Sequence, residues 1–157
     1  MPGMDREMIE RLLTLNRTFY TTFADQFANS RSVADPALTS ILPYLPSRAR
    51  ILDVGCGNGR LAVLLDEERP GCTYMGVDAV SALIEEAREQ AGALTRTEAT
   101  FLQLDVTEKG WAEAVPVLPV AGEGSRGYDR GVALAVLHHI PDVGLRARVL
   151  GDVAGLL

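Results

Sequence analysis

A chain of 157 residues suits one domain with its own core, and 47% apolar with 23% charged residues is the balance of a globular protein. A net charge of −6 argues against an extended nucleic-acid surface, and the two cysteines, Cys56 and Cys72, lie outside any C-x-x-C pair and suggest no disulfide framework. No apolar run approaches the roughly 18 to 20 residues of a membrane span, and the N-terminus lacks the apolar centre of a signal peptide, so the expected location is the cytoplasm, with no membrane partner.

Residues 5–29 read as a helix, with Met8, Ile9, Leu12, Leu13 and Leu15 near helical spacing and Phe19, Phe23 and Phe27 forming an aromatic stripe beside Tyr20. Two readings stay open for that stripe: a face packed on the core or a neighbouring helix, or part of a lid. A break at 30–36 contains Arg31 and ends in Asp35-Pro36, a helix start with proline in the first position. The short helix through Ala37, Leu38, Ile41 and Leu42 stops at Pro43 and Pro46, and the edge of the core falls near residue 47.

Arg50 to Leu61 then reads as a buried strand, a glycine-rich turn and the opening of a helix. Ile51, Leu52 and Val54 suit an interior parallel strand, and Gly55, Gly57 and Gly59 permit positive φ and close approach to a ligand. The helix begins near Arg60, and its N-terminus favours an anion in the crevice above the strand. In the dinucleotide fingerprint G-x-G-x-x-G the third glycine would fall at position 60, which here is arginine. Cys56 stands in the turn as a small residue.

Thr73–Asp78 is a second strand ending in an acid, 25 residues beyond Asp53, where a doubly wound fold places the acceptor for ribose hydroxyls. Ser81–Ala91 is an amphipathic helix whose acids form a solvated face, stopped by Gly92. Residues 100–106 give a third strand with Asp105 near its end. Residues 107–127 carry Trp111 on a helix and end in an exposed Gly-rich loop, and Tyr128–Pro141 begins with a turn and becomes a buried strand over the apolar run 132–137. Arg130 and Gly131 suggest an early bulge there. Residues 142–157 read as a final helix.

The run Asp53-x-Gly55-x-Gly57-x-Gly59, the strand ends at Asp78 and Asp105, and Tyr128-Asp129 leading to Leu137-His138-His139-Ile140-Pro141 resemble, in order, the motifs of class I S-adenosylmethionine methyltransferases. The resemblance covers residues 19–157. It implies an α/β, Rossmann-like fold: a mostly parallel sheet flanked by helices, an N-terminal helical lid segment over 1–46, and a cofactor-binding core over 47–157 that lacks the family's C-terminal strands. It implies S-adenosyl-L-methionine as cofactor, held by Asp53, Gly55, Cys56, Gly57, Asn58 and Gly59, by Asp78 on the ribose, and by Asp105 and the Val106 amide on the adenine. Tyr20, Arg31 and Ala135 complete the implied contacts; Arg31 reads equally as a solvated loop residue. No metal is implied. Phe19-Tyr20, Phe27 and Ser30-Arg31 ahead of the glycine loop also look like the start of tRNA wobble-uridine methyltransferases, so the acceptor is a small molecule or tRNA.

His138 and His139 are the candidates for a general base, since imidazole titrates near neutrality; the alternative is that they shape the pocket floor. Two further readings are a cofactor-binding fragment or subunit without catalysis of its own and, disfavoured by Arg60, an NAD-linked oxidoreductase. With right-handed crossovers the strands should lie in the order third, second, first, fourth, leaving the fourth at an edge. That edge is expected to pair with a second copy or a partner, to be covered by the chain's own termini, or to aggregate.

Overall fold

A computed structural model describes residues 4–24, 35–117, 127–134 and 136–157. Among them the chain runs α1 (Arg6–Thr22), α2 (Pro36–Ile41), β1 (Arg50–Val54), α3 (Arg60–Glu68), β2 (Thr73–Asp78), α4 (Ser81–Ala91), β3 (Glu98–Gln103), β4 (Arg130–Val132) and α5 (Val143–Leu156). The four strands form one sheet in the order β3-β2-β1-β4, and every pairing is parallel. This is the expected order and the expected Rossmann-like architecture.

Side chains along a strand alternate between faces, and the core divides accordingly. Ile51 and Tyr74 pack with Leu61, Leu65, Ile84, Ala87 and Phe101 under α3 and α4. Leu52, Val54, Met75 and Val77 face the other way, onto Trp111, Tyr128, Ile140 and Val149 of α5. A helical layer on each face explains why β1 and β2 are almost continuously buried.

Three boundaries differ from expectation. β3 begins at Glu98 rather than Thr100 and ends at Gln103, because its partner β2 stops at Asp78, which pairs with Gln103. The backbone N–H of Leu104 still reaches Asp78, and Asp105 lies beyond the strand in a turn. β4 covers only Arg130–Val132, not the apolar run to Leu137. Its partner β1 ends at Val54 and the chain turns into the glycine loop, while Leu137–His139 forms a 3-10 turn. Arg130 and Gly131 are no bulge: they pair in register with Ile51 and Leu52. Gly131 marks a close approach, since a Cβ there would lie 2.9 Å from Val153 of α5. Asp129 anchors the strand through two hydrogen bonds from the Arg50 side chain and one from the Arg50 amide, and these hold its carboxyl below the usual range.

At the N-terminus α1 ends at Thr22; the expected helix from residue 25 on, with Phe27, lies outside the described residues, as does Arg31 in the break that follows it. None of the residues of α1 is buried. The aromatic stripe divides, with Tyr20 against Ala24, Val80 and Leu83 while Phe19 and Phe23 are exposed.

Candidate active site

A cavity of about 240 Å3 opens at the carboxyl ends of β1, β2 and β3, under α1. Its floor is the glycine loop. Gly55, Gly57 and Gly59 have φ of 74°, 56° and 81°, so all three occupy the left-handed region that favours glycine. They differ in what surrounds them. A Cβ on Gly55 would strike Val136 at 2.8 Å, and one on Gly59 would meet Phe101 and Ala87 at 3.0 and 3.1 Å. Gly57 alone of the three has nothing within 4 Å, and it lines the cavity. Gly59 caps α3 and is not among the lining residues.

The acids predicted from strand ends converge on this cavity, which is lined by Asp53, Asp78 and Asp105. Asp78 accepts the Gly57 amide on one oxygen and the Val80 amide on the other, both at 2.9 Å. Those two bonds fix the carboxylate plane and leave lone pairs on both oxygens. Burial is the largest influence on it and raises its pKa, against the amides that lower it. Asp53 is 4% exposed and accepts a hydrogen bond from Tyr74 Oη at 2.5 Å. Burial pushes its carboxyl up to about 7. Asp105 takes the amide and the hydroxyl of Thr107 on one oxygen and pairs with Arg17 at 3.1 Å through the other. Val106, Cys56 and Asn58 also line the cavity; Asn58 donates to Glu86 at 3.0 Å, which ties the loop to α4. Glu86 is therefore more than part of a solvated face. Burial, then Asp53 and Asp78, hold the Cys56 thiol well above its ordinary pKa, which disfavours the thiolate and any nucleophilic role.

His139 lines the cavity, whereas His138 is exposed and does not. The His139 ring shares a hydrogen bond with Tyr20 Oη at 2.6 Å, and its carbonyl accepts from Asn16 at 2.8 Å. Ala135 and Arg31, both named among the implied cofactor contacts, lie outside the described residues. The lining residues that escaped the motif reading include four charged or amide side chains: Asn16 and Arg17 on α1, Asp35, and Arg60, which pairs with Asp35 at 3.4 Å. The α1 pair had a signal, since Leu13, Asn16, Arg17 and Tyr20 recur at helical spacing on one face. Among the described residues no cluster of His, Cys, Asp or Glu could hold a metal ion, and no helix is long and apolar enough to cross a membrane.

A family profile described as a methyltransferase domain matches residues 52–157. The chain is 24% identical over 152 residues to the tRNA (carboxymethyluridine(34)-5-O)-methyltransferase of Arabidopsis thaliana, covering 97% of this chain and 30% of that protein. It is 32% identical over 117 residues to the trans-aconitate 2-methyltransferase of Azoarcus sp. strain BH72, covering 74% of this chain and 39% of that one. It therefore spans about a third of the length of these relatives. Among solved structures, the magnesium protoporphyrin IX methyltransferase of Synechocystis PCC 6803 with bound SAH superposes with a TM-score of 0.68 at 19% identity, over 92% of this chain and 68% of that one. The 1,6-didemethyltoxoflavin-N1-methyltransferase of Burkholderia thailandensis also gives 0.68, at 18% identity, over 100% of this chain and 61% of that one. Identities this low show shared architecture rather than shared substrate. The profile match begins within β1 and runs through α5, and the chain accordingly belongs to the methyltransferase-domain family, with the fold of class I S-adenosylmethionine-dependent methyltransferases on which these neighbours superpose.

Proposed function

We propose that this chain binds S-adenosylmethionine in the cavity above the glycine loop and transfers its methyl group to a carboxylate on a small molecule or a tRNA. One observation carries the reading: Asp53, Gly57, Asp78 and Asp105, at or just beyond the ends of three successive strands, line a single cavity. The residues suit the cofactor. Gly57 leaves the loop surface open, Asp78 offers oriented lone pairs to a pair of ribose hydroxyls, and the acids around the loop suit a cationic ligand. Bound, the cofactor supplies an electrophilic methyl on a sulfonium. The protein's own task is then to orient the acceptor and exclude water.

The carboxylate acceptor is supported by the relatives, one named for a carboxymethyluridine and the other for trans-aconitate. A carboxylate is deprotonated at neutral pH and needs no general base. His139 then serves chiefly to hold Tyr20 and, through its carbonyl, Asn16. Residues 1–46 act as a lid on the core of 47–157: α1 bridges the cavity from Asp105 on one side to His139 on the other. The protein works in the cytoplasm, where the cofactor is made available. Because the chain matches only 30% and 39% of the length of these two relatives, we expect firm cofactor binding but slow turnover by these residues alone.

Calorimetry with S-adenosylmethionine tests the site. Asp78→Ala should weaken binding by about 1.5 to 3 kcal/mol, the value of a charged hydrogen-bond partner; unchanged affinity in a folded variant would remove the ribose assignment. A labelled-methyl assay against polycarboxylic acids and tRNA tests the acceptor. Label appearing in base-stable amines rather than base-labile esters would exclude the carboxylate.

A further inference from the structure

Tyr74 stands in a strand interior, where a hydroxyl requires a partner. It is 1% exposed, pairs across the sheet with Ile51, and shares a face with Ile51 and Asp53. Opposite Asp53 is Gly76, where a Cβ would come within 2.8 Å of both Cys56 and Phe101. No side chain therefore stands between Tyr74 and the strand end, and the phenol reaches along the face to donate to Asp53 at 2.5 Å.

We propose that Tyr74 is a positioning residue for cofactor binding, aiming the Asp53 carboxyl and favouring its ionised form, so that the ammonium of the bound ligand draws Asp53 into a carboxylate and one proton leaves to solvent. This rests on the reading of the cavity as a S-adenosylmethionine site. The proton balance is simple: a neutral carboxyl and a ligand ammonium become a carboxylate–ammonium pair plus a released proton.

The groups facing Asp53 are Tyr74 and Asp78 from β2, Cys56 from the loop and Arg60 from α3. Burial raises Asp53 most, to about 7; the Tyr74 hydrogen bond lowers it, Asp78 raises it and Arg60 lowers it. Tyr74 and Cys56 are themselves kept neutral, chiefly by burial. Asp53 is thus placed to change charge with the ligand near neutral pH.

S-adenosylhomocysteine, which keeps the amino-acid end, is the probe, titrated by calorimetry between pH 6 and 7.5 in buffers of differing ionisation enthalpy. Wild type should release about 0.75 proton per ligand at pH 6.5 and bind about fivefold more weakly at pH 6 than at pH 7. Asp53→Asn should abolish the release. Tyr74→Phe should move the profile about one unit upward, giving binding about fivefold weaker at pH 7 with the gap narrowing toward pH 8. A purely structural role would instead weaken binding equally at every pH, and that parallel profile overturns the proposal. Absence of proton release by wild type, or its persistence in Asp53→Asn, also overturns it, with no need for the Tyr74 variant to fold. If wild type fails to bind at any pH, the cofactor site itself is refuted along with the proposal; binding without linkage refutes the proposal alone.

Discussion

Asp53 shows how one residue sets function against stability. An unfolded Asp releases its proton near pH 4, whereas the native carboxyl does so at about 7. Between these values the native state binds more protons than the unfolded state, so stability falls as pH rises through this window and the loss is complete above it. Asn is uncharged and can still accept from Tyr74. Asp53→Asn is therefore expected to stabilise the ligand-free protein at pH 7.5, on the order of 2–4 kcal/mol, with the gain vanishing toward pH 4. Urea unfolding at the two pH values checks this; a variant less stable at pH 7.5 would contradict the sign. The glycines separate in the same manner. An alanine in the left-handed region costs about 1–2 kcal/mol wherever it falls. Gly59→Ala adds contacts with Phe101 and Ala87 and should lower stability further, while Gly57→Ala, whose Cβ meets nothing within 4 Å, should chiefly weaken cofactor binding. Thermal melts and ligand titration of the two variants should rank them in opposite orders.

At the scale of the element, α1 is held by its polar contacts more than by burial. It begins with a cap in which Asp5 accepts the Met8 amide, contributes no buried residue, and reaches the rest of the molecule through Asn16, Arg17 and Tyr20. The Arg17–Asp105 pair has a side chain half exposed and contributes at most about 1 kcal/mol. Such an element opens at low free-energy cost, as a lid must. In the double variant Asn16→Ala with Tyr20→Phe, hydrogen exchange should accelerate in α1 and stay unchanged in β1 and β2. Ligand dissociation should accelerate as well. Equal acceleration in the central strands would show instead that α1 is part of the cooperative core. At the other end, α5 starts with Asp142 accepting the Leu145 amide, and Trp111 donates to Asp152 from the turn beneath it.

For the whole molecule the open question is the outer edge of β4. The Asp129 amide bonds to Arg50 of β1, so alternation turns the Tyr128 amide outward, where it donates to the carbonyl of Leu156 at 2.8 Å. The end of α5 thus covers the start of the edge. Beyond it the strand is only three residues long and carries the exposed Arg130, both of which discourage further pairing. A chain ending at Gly155 should lose the cover and associate at lower concentration than the 157-residue chain, as light scattering would measure.

Local chemistry determined the central strands, the glycine loop and the three acids. Largely apolar stretches in β1 and β2, a turn that only glycine adopts easily, and acids near the strand ends at Asp53 and Asp78 are properties of neighbouring residues, and the strand order followed from the handedness of crossovers. The limits of β3 and β4 were decided by the partner: a strand ends where its neighbour leaves the sheet, and the apolar run 132–137 carries no mark of where β1 turns away. The same holds for the site. Nothing local links Tyr74 to Asp53, Asn16 to His139 or Arg17 to Asp105, because each pair is far apart in the chain and meets only when register and packing place one element over another. Burial, which sets the charge of Asp53, is likewise a property of the folded surroundings and not of the residue.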